Sequence, residues 1–468
     1  MNRIQLFSAL VFGLVTFLFA ASDSQADCSW TVAGTVKVQT QEPLLSTKFG
    51  PQVALKGIKV KVSGATVGDI FDSWGEVTTD ASGKFSITKQ KSCGDRKLKI
   101  EVRFLSSDVE IRDDKLDGLI PNVPWYTIVQ DSEKRRKPGL TQILPTVFAA
   151  GKLNDLNDPV ARHHADIWVI ANLMRDHLAT YGAQFKYINK TNIKYPNNEL
   201  ISPDGSEASF THPTTHVVNI FRSKDLTNDH MAPGNGVSVL FHEMAHAWAF
   251  ERVHGELDLA INLITSFSTH CSNNEQHVSF HEAFAAFTNE RLEEELFGTT
   301  HRVPFNRDAL KEGLSCEGKT DRMTSIALME KHELGWMSLF RMLTTPNLKQ
   351  FKYSGEATSS SEFDPSVFIT AGAIIARANC TDPTNHKLKD ILNVFLANPT
   401  KGVSNNLEKS EMKSFDVYMR RAAKILGFEA QRNALMNLLD PTKSNEPAEE
   451  LCGEQIQSPI RPPIRRRP

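Results

Sequence analysis

The run GVSVLFHEMAHAWAF, at 236–250, constrains this chain more than any other part of its sequence. The run is apolar almost all round, which predicts a buried helix. Residues four apart lie on one face of a helix, so His242 and His246 can present two imidazole nitrogens to a single cation, with Glu243 beside them. The alternative is two core histidines that bind backbone carbonyls, with Glu243 reaching solvent. We predict half of a zinc site with a base attached.

The third ligand of such a site must come from elsewhere, because a catalytic zinc takes three protein ligands and keeps one position open for water. No histidine stands six residues after His246, and His254 is two residues too late for that pattern. Asp258 is one alternative, although its neighbours do not follow the pattern of an aspartate ligand. Glu282 is the stronger candidate, because it lies among small apolar residues of a second helix predicted at 275–297, where an unpaired carboxylate is costly.

These two helices resemble the gluzincin metallopeptidases, in which a glutamate on a downstream helix completes the zinc site. The resemblance rests on HEMAH at 242–246 and HEAFAAF at 281–287 and covers residues 159–298. An upstream helix predicted at 159–180 and a strand at 215–221 are similar in order to the thermolysin and fungalysin branch. The family relationship implies a zincin-like fold around these helices and a peptide or protein substrate.

The resemblance also implies roles for individual residues. Zinc (Zn²⁺) would bind His242, His246 and Glu282, and Glu243 would act as the general base. Two features depart from the thermolysin branch. Ala286 occupies the position of the aspartate that orients a ligand histidine, and no tyrosine lies between the second and third ligands. A substitute for the tyrosine would have to come from later in the chain, where the candidates are His332, Tyr353, His386 and Tyr418.

The N-terminal part has a different pattern. From 27 to 114, apolar and polar residues alternate in short runs separated by turn residues, which predicts strands with one wet face. The run TDASGKF at 79–85 resembles a hairpin of transthyretin-like and carboxypeptidase-regulatory-like β-sandwiches. No titratable cluster lies nearby, so we expect this module to bind or support rather than to catalyse.

The fold class predicted from these patterns is multidomain. An N-terminal all-β sandwich at 27–114 precedes a proline-rich linker at 115–158, an α+β zincin-like metallopeptidase core at 159–305 and a mainly helical C-terminal subdomain at 306–452. Residues 453–468 are rich in proline and arginine and predict a disordered tail.

Residues 1–26 predict a signal peptide with a basic start, an apolar run at 10–20 and small residues before the cleavage point. We therefore expect an exported protein, periplasmic or secreted, with no stable membrane anchor. Six cysteines in an oxidising compartment predict up to three disulfides. The simplest pairing joins sequence neighbours: Cys28 with Cys93, Cys271 with Cys316, and Cys380 with Cys452.

The composition narrows the classes of partner. A formal net charge of -2 provides no strong field for nucleic acid, so no nucleic-acid partner is expected. The leading hypothesis is an exported zinc metallopeptidase that holds a peptide along the edge of the strand at 215–221. The alternative is an inactive zincin-like binding or surface protein whose β-sandwich mediates the interaction. Hydrolysis of a non-peptide amide or ester at the same zinc, and the oligomeric state, stay open.

Overall fold

The computed structural model describes residues 27–66, 70–113, 123–130, 137–138, 142–148, 160–197, 209–222, 229–254, 276–299, 314–316, 319–321, 325–345 and 385–440. The chain forms two compact units. The first comprises Met1–Gln39, Ala54–Arg103 and Trp125–Asp158, and the second comprises Thr40–Val53, Phe104–Pro124 and Pro159–Pro468.

The strands, in chain order, are β1 (Asp27–Gln39), β2 (Gln52–Ala54), β3 (Lys59–Ala65), β4 (Asp72–Thr78), β5 (Lys84–Ser92), β6 (Lys97–Arg103), β7 (Val109–Arg112), β8 (Tyr126–Gln130), β9 (Gln142–Phe148), β10 (Thr191–Asn197), β11 (Phe210–Thr211), β12 (Val218–Phe221), β13 (Val253–His254), β14 (Leu314–Cys316), β15 (Lys319–Asp321) and β16 (Leu407–Glu408).

The helices are α1 (Pro43–Phe49), α2 (Val160–Tyr181), α3 (Gly236–Phe250), α4 (Gln276–Phe297), α5 (Ile326–Met329), α6 (Glu333–Thr344), α7 (Leu388–Val394), α8 (Phe415–Leu426) and α9 (Arg432–Leu439). Short 3-10 helices lie at Ala183–Phe185 and Pro399–Lys401. None of the helices in the described ranges is long and apolar enough to cross a membrane.

The first unit is built from two β-sheets, as the alternating pattern predicts. In one sheet, β1 pairs antiparallel with β5 and parallel with β9. In the other, the order is β4-β3-β6-β8, with every pair antiparallel. Trp30 on β1 and Trp74 on β4 are both buried, and their ring centroids are 5.4 Å apart, so side chains from the two sheets share one core. The predicted disulfide Cys28–Cys93 is present.

Two of these strands lie in the range that the sequence predicts to be a linker. Residues 115–158 contain β8, which pairs with β6, and β9, which pairs with β1. Pro145 suggests a loop, but among the described strands β9 pairs on one side only. A proline is tolerated on an edge strand because it removes no hydrogen bond from the interior of the sheet. This part of the range therefore belongs to the β-sheet unit.

The second unit contains a four-stranded sheet in the order β11-β12-β10-β7. β7, β10 and β12 are parallel, whereas β11 is antiparallel to β12. The strand predicted at 215–221 appears as β12, but it lies between β11 and β10. The free edge expected on that strand belongs instead to β11, because a short turn after Thr211 folds β11 back against β12.

α3 and α4 are adjacent and run in opposite directions, since Ser238 near the start of α3 binds Glu293 near the end of α4 while His246 meets Glu282. The run of glutamates at 293–295 predicts a solvated face at this end of α4, and for Glu293 this is wrong, because Glu293 is buried and accepts a hydrogen bond from the Ser238 hydroxyl. Aromatic side chains on the opposite side of α4 fill the core. Phe284 packs with Trp248 of α3, Phe340 of α6 and Phe395.

The C-terminal helices belong to the same compact unit as α3 and α4. Helical periodicity predicts helices at 323–343, 388–397 and 412–426, and these are found in part, as α5 with α6, α7 and α8. The helix predicted at 367–378, the signal peptide at 1–26 and the tail at 453–468 lie outside the described residues. The other two predicted disulfides each include a cysteine outside that part of the chain.

Candidate metal centre

His242 and His246 lie on one face of α3, as their spacing predicts. Their ring centroids are 4.8 Å apart, and their Nε2 atoms are separated by 3.1 Å. The helix itself fixes this pair, because residues one turn apart project their side chains in the same direction. Both imidazoles therefore present the same nitrogen to one point.

Glu282 on α4 completes the group. Its Oε2 atom lies 3.3 Å from Nε2 of His242 and 3.4 Å from Nε2 of His246. Within the described part of the chain, these three residues are the group of potential ligands that converges closely enough to hold a metal ion. Ligands placed tetrahedrally at about 2.0–2.1 Å from zinc are separated by about 3.3–3.4 Å. The observed triangle therefore matches one face of a zinc tetrahedron.

Exposure is unequal around this triangle. The side chain of His246 is 6% exposed, whereas those of His242 and Glu282 are 24% and 23% exposed. The group is thus closed on the side of His246 and accessible on the other side. This is the arrangement that a fourth, exchangeable position requires, since a catalytic site keeps one coordination position open.

The charges in the group favour an ionised Glu282. Burial alone would raise the pKa of this carboxyl, but the charge of His246 and hydrogen bonds with His242 and His246 outweigh it, and the pKa lies well below its usual range. A carboxylate beside two imidazole nitrogens is a nitrogen–oxygen donor set that divalent metals such as zinc accept. The group can therefore hold a divalent cation.

Glu243, next in sequence to His242, is buried and accepts a hydrogen bond from the Thr211 hydroxyl of β11 at 2.9 Å. Burial raises its pKa to about 7, and the charge of Glu282 adds to this, while His242 and the Thr211 hydrogen bond act in the opposite direction. A carboxyl with a pKa near neutrality can both accept and release a proton at physiological pH. Its environment therefore suits a general base.

Contacts from neighbouring segments fix the position of α3. The Tyr187 hydroxyl donates to the Met244 carbonyl at 2.9 Å, and the Trp248 indole donates to the Phe185 carbonyl at 2.8 Å. At the start of the helix, the Glu42 carboxylate accepts a hydrogen bond from the Gly234 amide at 3.1 Å. An anionic group there interacts favourably with the helix dipole. Together these contacts restrain the helix that carries both histidines.

The ring of His246 is held on one side by an aromatic contact. Its buried Nδ1 atom has no hydrogen-bond partner among the described residues. The ring instead stacks on Phe250, with centroids 5.7 Å apart and planes 19° from parallel. Packing, rather than an acidic partner, thus restricts the rotation of this imidazole.

The remaining candidates either lie outside the described residues or have other contacts. Asp258 and Tyr353 lie outside the described residues, and His254 is described only as part of the backbone of β13. His332 is buried at the start of α6, and Tyr418 is fully buried in an aromatic cluster that includes Phe280. His386 packs against Phe428. Neither His332 nor His386 belongs to the converging group of potential ligands in the described part of the chain.

The three histidines of α2 are expected from the sequence to be exposed or packing residues rather than ligands, and none of them belongs to the converging group. His163 and His164 are buried and contact the hydroxyl and the carbonyl of Tyr195, while His177 binds Glu295 on α4. Thr211, by contrast, contacts Glu243, and the sequence did not predict this contact. No fixed spacing connects position 211 to position 243, so no local signal could have found this contact.

No protein-family model matches the chain, and no curated protein matches it. Among solved structures, a crystal structure of a 9R-lipoxygenase from Cyanothece PCC8801 is similar over 33% of this chain, with 15% sequence identity and a TM-score of 0.17. The similar region spans 24% of the lipoxygenase chain.

Proposed function

We propose that this protein is an exported zinc metallopeptidase. The observation that carries the proposal is the triangle of His242, His246 and Glu282, whose edges of 3.1, 3.3 and 3.4 Å match the ligand separations of tetrahedral zinc. The adjacent buried Glu243 supplies the base that HExxH peptidases require. The gluzincin resemblance and the antiparallel strand β11 beside α3 support the same assignment.

Bound at this triangle, zinc would supply Lewis acidity for activating water and polarising the scissile carbonyl. His242, His246 and Glu282 would hold the ion, and substrate would reach it past His242 and Glu282, whose side chains are more exposed than that of His246. Glu243 takes a proton from the attacking water and delivers it to the nitrogen of the leaving amine. A carboxyl with a pKa of about 7 can perform both transfers without a large energetic penalty in either direction.

The substrate would lie along β11. This strand pairs with β12 on one side, and among the described strands its other side has no partner. An extended peptide can add to such an edge through backbone hydrogen bonds. Thr211 on β11 contacts Glu243, so a peptide bound at this edge passes close to the base.

The Glu243→Gln variant tests the proposal. The amide keeps the shape of the side chain but cannot accept the water proton, so we expect peptide cleavage to fall by at least roughly 100-fold. Zinc content, measured by atomic emission after dialysis, should stay the same because Glu243 is not a ligand. Glu429→Gln, at an exposed position between α8 and α9, is a control that should cleave normally. Unchanged turnover in Glu243→Gln would refute the assignment.

The second candidate is a zincin-like binding protein without turnover. It is favoured by two observations, namely the Nδ1 of His246, which has no hydrogen-bond partner among the described residues, and the lack of a tyrosine between positions 246 and 282 of the sequence. A peptide-library digest with and without a chelator separates the candidates. A peptidase shows cleavage that the chelator abolishes, whereas a binding protein shows none under either condition.

A further inference from the structure

We propose that Thr211 is a positioning residue for Glu243, because its hydroxyl bonds to the carboxyl and to the carbonyl of that residue and so holds the carboxyl in place. The inference rests on the proposed function for its catalytic consequence. The hydrogen bonds themselves are a property of the metal-free chain. They can be tested whether or not the protein cleaves peptides.

The contact is short and buried. The Thr211 Oγ1 atom lies 2.9 Å from Oε2 of Glu243 and 2.7 Å from the Glu243 carbonyl oxygen. Thr211 is 8% exposed and Glu243 is 6% exposed, so water has little access to compete for these bonds. Hydrogen bonds to a charged group are stronger than neutral ones and become more important away from solvent.

One hydroxyl proton faces two acceptors in this arrangement, a carboxyl oxygen and the carbonyl oxygen of Glu243. Both acceptors belong to the same residue, so the Thr211 hydroxyl restrains the backbone and the side chain of Glu243 together.

This restraint on its side chain suits a general base. Glu243 must accept a proton and then release it, and its side chain should keep the same position throughout. Pairing of β11 with β12 fixes the backbone of Thr211, and its side chain bonds to a carbonyl in the middle of α3. The hydroxyl is therefore held at a defined position relative to Glu243. Thr211 therefore connects the strand proposed to bind substrate with the base.

Two substitutions separate the hydroxyl from the bulk of the side chain. Thr211→Val keeps the shape and removes the hydroxyl, and we expect kcat to fall roughly 10- to 100-fold, a range measured when supporting groups around metal sites are removed. KM and zinc content should change little. Thr211→Ser keeps the hydroxyl and should restore most of kcat. Thr288→Val is a matched control, because Thr288 is a buried threonine on α4 whose hydroxyl has no partner in the described structure.

A second measurement does not depend on activity. The urea midpoint of the metal-free protein is compared for Thr211→Val in the wild-type and in the Glu243→Ala backgrounds. The backbone carbonyl of residue 243 is present in both backgrounds, but the carboxyl is present only in the wild-type background. The decrease in urea midpoint caused by Thr211→Val should therefore be larger in the wild-type background. Equal losses in the two backgrounds would show that Thr211 only joins β11 to α3, and would overturn the proposal.

The outcomes distinguish the proposed peptidase function from the proposed role of Thr211. If the wild type cleaves no peptide, the proposed function fails, and the midpoint comparison alone decides the role of Thr211. If the wild type is active but Thr211→Val retains its kcat, or Thr211→Ser does not restore it, the positioning role is wrong while the peptidase assignment stands.

Discussion

Asp166 gives the sharpest prediction about the second unit. It lies on α2, is 4% exposed, and its Oδ1 atom has no hydrogen-bond partner among the described residues. Burial raises its pKa to about 7, against the opposing effects of a hydrogen bond from Thr40 and the charge of Arg162, and the Glu42 carboxylate raises it further. The folded protein therefore binds a proton at Asp166 more tightly than the unfolded chain does.

The direction and the size of the effect of pH on stability follow from this difference in proton binding. Because the pKa is raised on folding, the contribution of Asp166 to stability is fully present below its ordinary pKa of 3.8 and is lost as the pH rises to about 7. About three pKa units at 1.36 kcal/mol each give roughly 4 kcal/mol. Asp166→Asn removes this titration. The free energy of unfolding of the variant, relative to wild type, should therefore increase by roughly 4 kcal/mol between about pH 4 and about pH 8.

Urea unfolding followed by tryptophan fluorescence, in the presence of a chelator, provides the measurement. Other groups also titrate, including His163, whose pKa burial lowers to about 3, but they contribute equally to both proteins and cancel in the difference. Asp176→Asn, at an exposed position of the same helix, is a control that should change stability by less than about 0.5 kcal/mol. Parallel pH curves for wild type and Asp166→Asn would refute the argument.

Three further perturbations test other parts of the structure. Glu282→Gln replaces an anionic ligand with a neutral amide, and metal content by atomic emission should fall sharply; full retention would remove Glu282 from the ligand set. Cys28→Ala opens a disulfide that spans 65 residues, and should lower the free energy of unfolding by about 4 kcal/mol under oxidising conditions, with a smaller difference from wild type after reductant is added. Phe284→Ala should cost about 3–5 kcal/mol in chemical denaturation, because its fully buried ring contacts α3, α6 and Phe395, and a loss below about 1 kcal/mol would contradict that packing.

The elements of the metal group could be predicted because their signals are local. The sequence predicts helices at 236–250 and 275–297, and the structure has them at Gly236–Phe250 and Gln276–Phe297. Glu282 could be selected because a carboxylate among small apolar residues needs a partner. The same reasoning failed for Glu293, which lies in a run of glutamates and looks solvated, yet is buried beside Ser238.

Other features depended on pairing that no local pattern encodes. The prolines at 115–158 suggest a linker, but edge-strand pairing places β8 and β9 in the sheets. The strand at 215–221 carries the right pattern for β12, but the pattern does not indicate which neighbours flank it. Only the turn that brings β11 back against β12 transfers the free edge to β11.

The sequence by itself determined that two imidazoles share a helix face, because a spacing of four residues produces that geometry in any α-helix. It also determined the alternation that produces the N-terminal sheets. The tertiary structure alone decided that Glu282 comes within 3.4 Å of both imidazoles and that Thr211 contacts Glu243. Contacts between residues far apart in the chain depend on how helices and strands pack, and that packing is a property of the whole core rather than of any one segment.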